Sequence, residues 1–124
     1  MNKTILILTA LYGAIAIILG ALGTHALKSH MTTDDLTNYK TAVFYHIIHV
    51  LAILIILAYP QLNFSTKSTI GWLFIAGITF FSGSIYLISL HLVKVKTIWF
   101  ITPFGGLLFI LGWLFLTYQF FKLH

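Results

Sequence analysis

The side chains able to bind a metal ion or pass a proton are few in this sequence, and most are imidazoles. His25, His30, His46, His49 and His91 are accompanied by only two carboxylates, Asp34 and Asp35, and by no cysteine. A neutral imidazole nitrogen binds Zn, Cu or Ni, and the ring exchanges protons near neutral pH. His46 and His49 are three residues apart, which puts both on one side of a helix. No carboxylate or thiolate accompanies them in the surrounding apolar sequence. A metal site would have to be built from His25, His46, His49 and His91 alone. Interfacial or structural imidazoles, bonded to headgroups or helix ends, are the simpler reading, and no metal is expected.

Other chemistry is scarce. Ser82, Ser84, Tyr86 and Thr102 lie within apolar sequence and, with His49, could line a polar route for a solute. A serine hydrolase needs a base and an orienting acid, and the only acids here are neighbours at 34 and 35. There is no phosphate loop, dinucleotide-binding glycine pattern or zinc-protease motif. The intramembrane acid on which small four-helix exporters rely is also missing. The expectation is a protein that is not an enzyme and takes no cofactor.

The elements that must position these residues follow from composition. The chain has 124 residues, of which 60% are hydrophobic and 7% charged. A soluble domain carries about a quarter charged residues, so nine charged side chains cannot cover this chain in water. The net charge of +5 comes from seven scattered lysines, with no basic cluster for a nucleic-acid partner. With a mean hydropathy of +1.02, the natural solvent is a bilayer and the expected partners are lipids.

Four uncharged apolar runs, Thr4 to Leu27, Thr41 to Tyr59, Ser68 to Val93 and Thr97 to Phe121, are each long enough to cross about 30 Å of hydrocarbon. Backbone amides in lipid must be paired within the segment, and the runs lack the alternation of a barrel. The predicted fold is all-α: one four-span domain over residues 1–124, with helices at about 4–27, 41–59, 70–92 and 98–121. The first run is too long for a signal-peptide core and is taken as helix 1.

Local signals refine this picture. Thr32 and Thr33 before Asp34 and Asp35 form a helix-start signal, so helix 2 can begin near Asp34. Thr102-Pro103 predicts an N-cap followed by proline at the first helical position, so the spanning part of helix 4 should start at Pro103. Val93 to Lys96 is a very short connection, making helices 3 and 4 antiparallel neighbours. Lysines divide three against four between the two faces, and the expected orientation, termini outside, rests on a weak asymmetry. Five of the six histidines map to the face opposite the termini.

Small residues recur at seven-residue spacing: Gly13 and Gly20, Gly77 and Ser84, Gly105 and Gly112, with Gly106 beside them. Two turns of spacing places each pair on one helix face, where backbones approach closely in lipid. Packing inside the bundle is the preferred reading, and a homo-oligomer interface is the alternative.

Four blocks then carry a family resemblance. Gly20 to Lys28, GALGTHALK, resembles the "GAxGAHALK" signature of the small membrane proteins of DUF family 423, also called UPF0382. Thr41 to Tyr45 leading into His49 to Ala52 is similar to "TAVxYxxxHALAL", and Phe81 to Leu87 to "FSGSLYLL". Thr102 to Gly106, followed by Gly112-Trp113, resembles "TPxGGxxxxxGW". The resemblance implies a bacterial plasma-membrane protein with four spans, akin to small eukaryotic membrane proteins, and implies no activity. Its motif positions here are His25, Tyr45, His49, Ser82, Tyr86, Thr102, Pro103, Gly105, Gly106 and Trp113. His46 stands where many members have Gln, and His91 lies outside the motifs. The leading expectation is a non-enzymatic, homo-oligomeric membrane protein with a structural, scaffolding or envelope-related role. A small transporter or channel with a route near His49 is second, and a histidine metal site third.

Overall fold

The computed structural model describes residues 3–123, and every regular element in it is helical. Helix 1 runs over Lys3–Thr24, helix 2 over Thr33–Ala58, helix 3 over Phe64–Ser89 and helix 4 over Ile101–Lys122. All four are long and apolar enough to cross a membrane. At about 1.5 Å per residue the shortest extends about 33 Å.

The caps explain where the helices start. Thr32 closes a reciprocal box at the head of helix 2: its hydroxyl accepts from Asp35 N–H and its own N–H donates to Asp35 Oδ2, both at 3.1 Å. Helix 2 thus begins eight residues before its apolar run, as the Thr-Asp cluster foretold. Helix 3 starts earlier than predicted because Asn63 caps it, accepting from Thr66 N–H at 2.8 Å. Helix 4 departs from expectation. It begins at Ile101, with Pro103 as its third residue, and Thr102 is not its N-cap. Proline is tolerated there because first-turn N–H groups have no partner within the helix. The preceding connection holds a separate helical turn, Val95–Ile98, followed by Trp99 and Phe100 outside either helix, so it is only partly helical.

Helices 2 and 3 form the spine, with helix 1 packed mainly on helix 2 and helix 4 mainly on helix 3. The seams are built by glycines that receive side chains. On the helix 3–helix 4 seam, Gly77 faces the Phe109 ring and Gly112 faces the Phe74 ring, a reciprocal interlock. A Cβ at Gly77 would stand only 2.5 Å from Phe109 Cδ1. Gly13 and Gly20 of helix 1 meet Val50 and Val43 of helix 2, and Gly23 receives the Tyr39 ring. The seven-residue spacing therefore serves packing within the bundle. The aliphatic and aromatic core runs from Ile5 through Ile53, Ile70 and Phe74 to Phe109 and Leu116.

Helix 3 contains a feature with no counterpart in the expectations. Ile78–Ser82 is a π-helical segment, in which Gly83 N–H donates to Ile78 O. Opposite it Gly105 brings helix 4 against the main chain at Phe80 and Phe81, where a Cβ would lie 2.8 Å from the Phe80 carbonyl carbon. Such bulges widen one turn and often accompany functional sites.

Candidate functional site

His49 lies on the helix 4 side of helix 2 and is 2% exposed. Its Nδ1–H donates to Tyr45 O at 2.7 Å, the carbonyl one turn earlier. Its Nε2 accepts from the Trp113 indole N–H at 3.1 Å. Because indole can only donate, Nε2 must be the unprotonated nitrogen, and the ring is the neutral Nδ1–H tautomer. Phe109 lies flat on it, with ring centroids 3.7 Å apart and planes 10° from parallel. Both nitrogens are engaged and one face is covered, so His49 has no lone pair to offer a metal.

His46, one turn earlier, is 3% exposed and points elsewhere. Its Nδ1 pairs with Tyr86 Oη of helix 3 at 3.0 Å, and Tyr12 of helix 1 stands edge-on with centroids 5.9 Å apart. Nε2 has no hydrogen-bond partner, although the helix 1 main chain at Tyr12 passes nearby. Beside it Thr79 Oγ1 donates to Ile75 O at 2.9 Å, so Tyr12 must be the donor in its 2.7 Å bond to Thr79. The i, i+3 spacing turned the two imidazoles toward different neighbours, because the helices flanking helix 2 lie on either side of their shared face.

The remaining candidates do not line one route. Ser82 donates to Ala42 O of helix 2 at 2.8 Å. Ser84 donates to Phe81 O and pairs with Thr102 of helix 4. Tyr45 is exposed and packs its ring against Phe81 at a centroid distance of 5.0 Å. His25 and His30 are exposed beyond helix 1. His91 sits at the end of helix 3, where its Nε2 lies 2.8 Å from Asp35 Oδ2. The four imidazoles named as metal candidates are thus held apart in four environments. Among the described residues no three His, Asp or Glu side chains gather closely enough to hold a metal ion.

Residues 19–106 match the sequence model of a family described as protein of unknown function (DUF423). The chain is 40% identical over 120 residues to a UPF0382 membrane protein of Staphylococcus aureus, covering 97% of each chain. It is 36% identical over 114 residues to a UPF0382 membrane protein of Bacillus subtilis, covering 90% of this chain and 91% of that one. The chain belongs to the DUF423 (UPF0382) family. It is also 36% identical over 124 residues to a UPF0382 membrane protein of Haemophilus influenzae, covering 98% of this chain and 97% of that one. No solved structure matches this DUF423 chain.

In this DUF423 protein, the blocks that carry the resemblance meet one another in space. His49 of the second block is bonded by Trp113 of the fourth. Ser82 of the third reaches Ala42 of the second, and Ser84 of the third meets Thr102 of the fourth. Gly105 of the fourth presses on Phe81 of the third. In the first, Gly23 makes room for Tyr39, whose hydroxyl donates to Leu19 O. Tyr12, Thr79 and the π segment were missed from sequence. A tyrosine and a threonine in apolar runs carry no local mark of being partners across 67 positions.

Proposed function

We propose that this multi-pass membrane protein has a structural, non-enzymatic role in the bacterial plasma membrane, serving envelope maintenance. The observation that supports this reading most is the pairing just described. Polar and glycine residues of the family blocks hydrogen-bond or interlock with one another across helix seams. Such residues specify which helices pack, and in lipid, where apolar burial gives little preference between partners, close packing and interhelical bonds carry that task. Outward faces of helices 1 and 4, with Ile7, Ile17, Ile110 and Leu114 exposed, offer apolar surface for lipid and for a second copy of the chain.

The test is a strain lacking the protein, compared with one re-expressing it, under detergent and hypo-osmotic stress. The proposal expects reduced survival, restored by the wild-type chain and by no variant that loses the helix seams. Equal survival of all strains would refute it.

A small transporter or channel is the second reading. One observation favours it: His46, an ionisable residue with a free nitrogen, lies near the midpoint of helix 2. Such a route would run past His46 rather than His49.

A further inference from the structure

Helices 1 and 2 part on their lipid-facing flank and leave a groove of about 410 Å³, with Gly20, Ala21 and Thr24 on one side, Val43 and Ile47 on the other and His25 at one end. We propose that this groove holds one acyl chain of an anionic phospholipid, whose phosphate is bound by His25 and Lys40. This goes beyond a structural role, since it gives the bundle a lipid ligand.

The register of the two helices places the groove. Gly13 meets Val50, Gly20 meets Val43 and Gly23 meets Tyr39, so the helices run antiparallel and bring His25 and Lys40 within a turn of the same level. Tyr12 and His46 turn toward helix 3, where they bond Thr79 and Tyr86. Ile17 and Ile47 stand on the other flank, and Ile17 is exposed. From Ala16 to His25 the groove rises about 14 Å, close to half of a hydrocarbon core about 30 Å thick. That is the depth of one leaflet, the length an acyl chain spans from interface to midplane.

The walls ask for an apolar occupant. Gly20 has no side chain and Ala21 only a methyl group. The Thr24 hydroxyl donates to Gly20 O at 3.0 Å, which spends its proton within its own helix.

The mouth selects the headgroup. Lys40, Val43 and Ile47 follow at i, i+3 and i+7 on one face of helix 2, so the ammonium stands one turn above the groove wall. His25 and Lys40 are both exposed, and among the described residues neither side chain has a hydrogen bond or ion pair. The two carboxylates are elsewhere: Asp34 and Asp35 lie about 120° and 140° around helix 2 from Lys40, and Asp35 is held by Thr32 and His91. A phosphate at the mouth would accept from the ammonium and from an imidazole N–H, with no carboxylate competing. A second copy on a two-fold axis along the membrane normal would set Lys40 level with its own counterpart. Charge therefore favours an anionic lipid over a contact between copies.

The test is native mass spectrometry of the full chain, delipidated in detergent and titrated with dioleoyl phosphatidylglycerol or with dioleoyl phosphatidylcholine. The first phosphatidylglycerol should bind about fivefold tighter than phosphatidylcholine. The double variant His25→Gln, Lys40→Gln should lose that preference. Lys94→Gln, which removes an exposed lysine from the same face but outside the groove, should keep it. Ala21→Phe fills the groove from an exposed position and should weaken both lipids while leaving the unfolding temperature unchanged. Equal binding of the two lipids, a preference lost equally in Lys94→Gln, or binding unaffected by Ala21→Phe would each overturn the proposal.

Discussion

The indole of Trp113 donates to His49 Nε2 across the helix 2–helix 4 contact, at 3.1 Å. With Nδ1 given to Tyr45 O, this bond leaves the imidazole neutral and fully engaged. Trp113→Phe keeps an aromatic ring but strands a buried acceptor. Interhelical hydrogen bonds in bilayers are worth about 0.6 kcal/mol, up to about 1.7, so a loss of about 1 kcal/mol is expected. Reversible unfolding in mixed micelles measures it. His49→Ala should cost more, because it also removes the Phe109 stack.

The Gly77–Phe109 and Gly112–Phe74 interlock predicts a contrast between glycines. Gly77→Ala drives a Cβ into the Phe109 ring and should cost about 1–3 kcal/mol, the usual range for overpacking. Phe109→Leu in the same chain should recover part of that loss. Gly83→Ala meets open space within a helix and should be stabilising by about 0.5–1 kcal/mol. The same unfolding measurement compares all three.

Asp35 has two tasks: it completes the box at the start of helix 2 and accepts from His91 at the end of helix 3. His91 itself sits in the left-handed region, with φ 58°, at a position that usually favours glycine. Leu92 N–H to Leu87 O at 2.9 Å and His91 N–H to Ile88 O at 3.0 Å close the helix around it. Asp35→Ala should therefore lower the unfolding temperature more than His91→Gly, which loses the pair but relieves the backbone. Asp35→Asn, which keeps an acceptor for Thr32, should fall between wild type and Asp35→Ala.

Engagement of both His49 nitrogens predicts how the protein treats zinc. After saturation with Zn²⁺ and desalting, wild type and His49→Ala should carry the same sub-stoichiometric metal content by elemental analysis. One zinc per chain, lost in His49→Ala, would contradict the geometry.

The large features were legible because they follow from local composition. Runs of more than 18 apolar residues require spanning helices whatever their neighbours are, and Thr32 with Asp35 marks a helix start by side-chain chemistry alone. Seven-residue glycine spacing announced seams, though not which ring each glycine receives. Thr102 misled because its capping signal is real in isolation, whereas in the fold its hydroxyl is used by Ser84 of helix 3. The π segment has no signature of its own, since it answers to the close approach of Gly105 from another helix. His46 and His49 looked equivalent by spacing. Only packing shows that one is consumed by helix 4 and the other faces a cavity.

On the structural role proposed above, the polar residues of the family blocks hold the helices together and no solute route passes them. Flux through the purified protein in sealed liposomes tests it most directly, with a pH-sensitive dye for protons and stopped-flow swelling for small solutes. Permeabilities equal to those of protein-free liposomes are expected for the wild type and for Trp113→Phe. A flux above that background which His46→Ala abolishes would contradict it.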